Sequence, residues 1–275
     1  MSEIVKDFFE ACNNGDVEFV KNMNFKSKMM LEIGMRRACK HGKLEMVKLM
    51  MEKGANDWNW GMYYACQGGQ MDTIKFMIEK GANNWEKGMQ FACKGGKIDI
   101  VNFMIEKGAN NFNLGMNYAC RGGQLEIMKY MIVCTNIHGE RENKNKWNKA
   151  MTYAISGKNI EIVKLICSYQ NEFNWIELLR CAFVCCRLNI VKFFIEKVRQ
   201  SSLIGRTNCK RKLIMIRVSF YHSLSMKELS ICLHLSIFPK ETIFWMKKRL
   251  FFLRMNRVTK LSENLFPVLS RYVLK

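Results

Sequence analysis

Three observations predict an all-α fold, a solenoid of stacked helix–turn–helix units. Ala11, Ala38, Ala65, Ala92 and Ala119 recur every 27 residues, each followed by a cysteine. Apolar residues keep fixed offsets from those alanines along the chain. Glycine pairs then interrupt three successive units at one point, as in "ACQGGQ" and "ACKGGK". Self-similarity at such a period marks a solenoid, in which each unit buries its apolar face against its neighbours. Two weaker units, at Ala154 and Ala182, bring the expected total to about seven.

Within a unit the pattern dictates helix, turn, helix. Residues 60–66, "WGMYYAC", form a short first helix, and "GG" supplies a left-handed turn that other residues resist. Residues 70–80, "QMDTIKFMIEK", carry apolar side chains at 71, 74, 77 and 78, the spacing of one face of a second helix. "GAN" ends that helix with glycine just past its cap. The apolar columns confirm the register. Three residues before each alanine stand Phe8, Met35, Met62, Met89, Met116, Met151 and Leu179; nine after it stand Val20, Val47, Ile74, Val101, Met128, Val163 and Val191. Acids such as Glu45 and Glu126 precede Lys48 and Lys129 by three, a modest support on a solvated helix face. Trp147 and Trp175 keep the aromatic column of Trp58, Trp85 and Phe112, so the eight extra residues before Ala154 belong upstream. They place an extended surface loop at 135–146, "TNIHGERENKNK".

Composition sets the outer limits. The chain has 275 residues, 49% hydrophobic and 25% charged, enough apolar content to form a core and to exclude wholesale disorder. No run of about 18 apolar residues exists, which predicts no transmembrane helix. The amphipathic, acidic N-terminus is unlike a secretory signal. A cytoplasmic location is expected, with the nucleus as the alternative, and there the twelve cysteines stay reduced. The net charge of +20 is unevenly spread. Residues 197–275 hold 17 Lys and Arg against 3 acids, and both prolines, Pro239 and Pro267, lie there. This shift predicts a solenoid over 1–197 and a basic helical C-terminal region over 198–275, including a helix at 240–255.

Several motifs are candidates for chemistry. Cys12, Cys39, Cys66, Cys93 and Cys120 could form a metal or redox ladder, but the chain has no C-x-x-C pair. Equivalent residues of stacked units lie about 8–10 Å apart, too far for a disulfide. Buried cysteine acting as a small hydrophobe accounts for the column. The Trp58 column falls at one fixed position per unit, which argues for packing rather than base stacking. His41, His138, His222 and His234 lack ligand or triad spacing, and no phosphate loop or nucleophile elbow occurs. The expectation is a non-catalytic protein without cofactor or metal.

The phrase "ACKHGKLEMVKLMMEKGAN" (38–56) resembles the helix–turn–helix core of ankyrin repeats, and the resemblance extends over roughly residues 4–197. Two features depart from that family. The unit has 27 residues rather than 33, which predicts a tight turn where a hairpin would stand. The family's Thr-Pro-Leu-His opening is replaced by "WGMY", "KGMQ" and "LGMN", so its hydrogen bonding is missing. Short units of this kind, rich in Trp, Met and Asn, resemble those of large DNA viruses of eukaryotes. The resemblance implies a protein–protein interaction module, with a host factor as partner, that binds through a concave surface. It nominates the first-helix ends and the inter-repeat turns: Lys40, Asn59, Trp60, Gln67, Glu86, Lys87, Lys94, Asn113 and Arg121. These are also positions that the repeat leaves free to vary.

The C-terminal region offers alternatives. "CKRK" and "KKRLFFLR" place Lys210, Arg211, Lys212, Lys247, Lys248 and Arg249 where they could bind nucleic acid. The interleaved apolar residues equally suit a cap on the last unit. Residues 262–274, "SENLFPVLSRYVL", faintly resemble an F-box-like opening that would recruit a ubiquitin ligase. A monomer is expected.

Overall fold

The computed structural model describes residues 3–23, 27–137, 144–170, 172–185 and 187–203. Among them every regular element is α-helical. The chain divides into two units, Met1–Phe173 and Asn174–Lys275. The first holds α1 (Glu3–Asn14), α2 (Val17–Lys21), α3 (Lys28–Lys40), α4 (Leu44–Glu52), α5 (Trp58–Gly68), α6 (Met71–Glu79), α7 (Trp85–Gly95), α8 (Ile98–Glu106), α9 (Phe112–Gly122), α10 (Leu125–Ile137), α11 (Lys144–Gly157) and α12 (Ile160–Tyr169). The second contains α13 (Trp175–Val184) and α14 (Leu188–Leu203).

Every second helix starts six residues after its reference alanine, and α5, α7, α9 and α13 start seven before it, at the aromatic column. The alanines and the apolar columns three before and nine after them are buried throughout, most of them completely. A further column, twelve after the alanine, adds Met50, Met77, Met104 and Met131 to that core. In the first unit the first helices pack side by side as one tight layer, whereas the second helices touch sparsely, α2 against α4 and α10 against α12. Each first helix packs against its own second helix. In the second unit α13 lies against α14, with Trp175 and Phe194 rings 5.9 Å apart.

The glycine pair has two separate causes. The second glycine takes the left-handed conformation expected of a turn, with φ +82° at Gly69 and +74° at Gly96 and Gly123. The first glycine remains helical, and its reason is proximity. A β-carbon on Gly95 would collide with the carbonyl oxygen of Gln67, one on Gly68 with that of Lys40, and one on Gly122 with that of Lys94. Each first helix therefore lays its C-terminal turn against the backbone of the one before.

The insertion before Ala154 corrects the expected loop. Residues 135–137 extend α10 and residues 144–146 open α11, so much of the insertion is spent on longer helices. The physical reason is internal bonding: Thr135 is fully buried, its Oγ1 donates to the carbonyl of Ile132 (2.8 Å) and accepts from Lys146 Nζ (3.1 Å). Lys158 stands where earlier units have their left-handed glycine and takes that conformation itself, with φ +68°. The basic residues from Lys210 to Lys212 and from Lys247 to Arg249, the helix at 240–255 and the 262–274 segment lie outside the described residues. The expected boundary at 197/198 falls within the span of α14.

Candidate interaction surface

The turns between units fix which side chains remain for a partner. Asp57, Asn84 and Asn111 cap the following helices: their side-chain oxygens accept from the main-chain N–H groups of Trp60, Lys87 and Leu114 at 3.3, 3.1 and 3.1 Å. Such Asx caps satisfy helix donors that have no intrahelical partner. Six residues before each alanine, a second set of acceptors reaches forward by one unit. Glu32 accepts from the N–H groups of Asn56 (2.9 Å) and Asp57 (3.3 Å), and Asn59 Oδ1 from those of Asn83 (3.1 Å) and Asn84 (3.2 Å). Glu86 Oε1 likewise takes those of Asn110 (2.7 Å) and Asn111 (3.2 Å). These tethers replace the hydrogen bonding that the departed Thr-Pro-Leu-His opening would supply.

Of the nominated contact residues, then, Asn59 and Glu86 have their acceptors committed to the next turn, and Asn113 occupies the same column. The others gather elsewhere. Lys40, Trp60, Gln67, Lys87, Lys94 and Arg121 all lie on the first helices, in the columns five before and two after the alanine.

Between those two columns runs a row of rings that sequence inspection passed over. One residue before the alanine stand Tyr64, Phe91, Tyr118 and Tyr153, all half-buried. Their centroids follow one another at 5.6, 6.1 and 6.2 Å. Trp60 and Tyr63 join the row through Phe91, at 5.9 and 5.6 Å. Six rings thus form one continuous strip across α5, α7, α9 and α11. The signal was legible in "YYAC", "QFAC", "NYAC" and "TYAI", but attention to the larger tryptophan column hid it. That column opens the helices, buried at Phe112 and Trp147 and half-buried at Trp58 and Trp85, while the strip runs across the layer of first helices.

Cations border the strip. Arg36 sits over the Trp60 ring at 4.7 Å and pairs with Asp57 at 3.5 Å. Lys87 lies 5.8 Å from the Tyr63 ring and Lys94 5.8 Å from that of Phe91. The pKa of Lys94 is lowered, first by burial and then by the like charges of Arg121 and Lys40. Lys94 thus stands close enough to Arg121 and Lys40 to feel both charges. Asn117, in the row beneath, is buried and its Oδ1 accepts no hydrogen bond.

The cysteine column is core. Cys12, Cys39, Cys66, Cys93 and Cys120 are fully buried free thiols. The sulfurs of Cys12, Cys39 and Cys93 pack against helical glycines of the next unit: a β-carbon on Gly61 would meet Cys39 Sγ at 3.3 Å and Met77 Sδ at 2.8 Å. Burial raises every one of these thiols, Cys12 and Cys120 to about 12. Among the described residues no three His, Cys, Asp or Glu side chains converge as a metal site would require. None of the described helices is long and apolar enough to cross a membrane.

Comparison with known proteins agrees with this architecture. A family model of ankyrin repeats matches in three copies, over residues 35–114, 64–143 and 89–177. Among solved structures, the crystal structure of the human ASB11 ankyrin repeat domain aligns at 15% identity with a TM-score of 0.37, covering 61% of this chain and 85% of that one. No curated protein sequence matches. With the family model spanning more than half of the residues, and with paired helices recurring on the same register, the chain belongs to the ankyrin-repeat family.

Proposed function

We propose that this protein binds a protein partner through the outward face of its first helices. Ankyrin repeats are protein–protein interaction modules, and the resemblance drawn from the sequence implies contacts at the first-helix ends, which border this face, and at the inter-repeat turns. One observation carries the proposal for this chain: in the six-ring strip from Trp60 to Tyr153 every ring but the buried Tyr63 stays half-exposed, and a continuous apolar surface of this kind normally means an interface. Preformed on packed helices, the strip would lose little conformational freedom on binding. Its rim residues Lys40, Gln67, Lys87, Lys94 and Arg121 differ from unit to unit and would supply specificity. Assignment of the partner to the host of a large DNA virus rests on the resemblance of the short repeats alone.

The test is affinity capture from cells with the full chain, beside its Phe91→Asp and Tyr118→Asp variants. A partner retained by the parent and lost by both variants, at unchanged thermal stability, supports the proposal. Retention of every partner by both variants would remove this face from consideration.

A further inference from the structure

The pattern of charge along the strip points to the chemistry of its ligand. Two residues after the alanine the successive first helices present Lys40, Gln67, Lys94 and Arg121. Neighbouring packed helices are about 8–10 Å apart, so this column is a ladder with that rung spacing. A polyproline II segment repeats its side-chain direction every three residues and rises about 3.1 Å per residue, or about 9 Å per turn. The two periods coincide. A β-strand does not fit, because residues three apart on it point to opposite faces.

We infer that the face takes an extended acidic peptide segment of a partner protein in polyproline II conformation, with large apolar side chains between the acids. This rests on the reading of the same face as the interaction surface. An acid at position i meets Lys40, acids at i+6 and i+9 meet Lys94 and Arg121, and an uncharged polar residue at i+3 meets Gln67. The intervening side chains lie on Tyr64, Phe91 and Tyr118. Charge complementarity is the deciding observation. Lys94 is half-buried over the Phe91 ring, its pKa lowered first by burial and then by the like charges of Arg121 and Lys40, and Asp57, the acid beside Trp60, is already paired with Arg36. A carboxylate of a partner would relieve that repulsion.

Single-stranded nucleic acid also carries regularly spaced charge, but its recognition needs ring faces open for stacking. Here successive rings touch, tilted at 60° between Tyr64 and Phe91 and 34° between Phe91 and Tyr118, and cations cover the faces of Trp60 and Phe91. No gap is left for a base. The arrangement favours the peptide.

A random dodecapeptide display library panned against the full chain tests this, with selected peptides measured by fluorescence anisotropy on the parent and on Phe91→Ser, Lys94→Glu and Arg121→Glu. The expected result is enrichment of peptides with Asp or Glu at multiples of three and aromatic or aliphatic residues between. Their affinity should fall at least about tenfold on either charge reversal and weaken with salt, while thermal melting of the variants stays unchanged. Peptides that need Phe91 but carry no acids would overturn this inference and leave the interaction reading standing. If no selected peptide depends on Phe91, that reading falls as well. Tighter binding of oligothymidylate, competing for the same face, would assign the surface to nucleic acid and overturn the peptide proposal.

Discussion

The carboxylate of Glu86 grips the backbone of the next repeat, its Oε1 accepting the main-chain N–H of Asn110 at 2.7 Å, 24 residues further along. Glu32 and Asn59 make the same forward step to Asn56 and Asn83. Two kinds of side chain thus do one job, and what they share is an oxygen acceptor at one register position. The short turn between repeats has no hairpin ladder to satisfy its N–H groups, so an acceptor from the preceding helix closes the gap.

Replacing Glu86 with alanine should therefore cost about 1–2 kcal/mol, the scale of losing a helix cap that serves two donors. Glu86→Gln keeps a carbonyl oxygen within reach and should recover most of that loss. Urea denaturation of the full chain followed by circular dichroism measures both. Equal destabilisation by alanine and glutamine would show that the charge, not the acceptor, matters.

Gly95→Ala separates two opposing effects. Alanine is the better helix former by about 1 kcal/mol, and Gly95 is helical. Against this, its β-carbon would overlap the Gln67 carbonyl, which belongs to a rigid backbone and cannot rotate away. Overpacking of this sort costs about 1–3 kcal/mol or more, so the clash should win and the variant should lose at least about 2 kcal/mol. A variant as stable as the parent would mean that α5 and α7 can separate at little cost.

Much of this fold was legible in advance. Apolar columns at constant offsets define which faces are buried, since a helix that fails to bury them cannot hold its place in a stack. The start of each second helix, from Val17 to Leu188, follows from that register alone. The forward tethers were not legible, because the column alternates between glutamate at Glu32 and Glu86 and asparagine at Asn59 and so looks like variable surface. For the same reason Asn59 and Glu86 read as contact residues. The ring strip is a different case: Tyr64, Phe91 and Tyr118 recur visibly, but recurrence does not distinguish a core column from an outward one. Only the packing of the first helices shows that this column remains half-buried.

Lys158 holds a conformation that its neighbours reserve for glycine, at φ +68°. A non-glycine residue there pays about 1–2 kcal/mol, while glycine pays about 0.5–1 kcal/mol in extra unfolded-chain entropy. The difference favours glycine, so Lys158→Gly should stabilise the protein by about 0.5–1 kcal/mol. Lys158→Val, β-branched, should destabilise it. Thermal melts of the two variants in parallel check the sign, and a loss on Lys158→Gly would refute the assignment of strain.

The buried thiols predict an alkaline limit on stability. Burial raises Cys12 and Cys120 to about 12 and pushes Cys39, Cys66 and Cys93 up as well, whereas an unfolded chain ionises its thiols at about 8.5. Above that pH the unfolded state holds fewer protons than the folded one, so stability is fully present below it and falls as pH rises toward 12. Replacing Cys66 and Cys93 with alanine should lower stability modestly near neutrality, through lost packing. It should also flatten the alkaline slope by up to two protons, because two thiols no longer titrate on unfolding. Urea midpoints measured from pH 7 to pH 10.5 for the parent and the double variant give both quantities. Parallel slopes would show that other groups set the alkaline limit. Since both thiols are fully buried in the core, affinity for any partner held at the ring strip should be unchanged, which separates the core role of this column from the surface role of its neighbours.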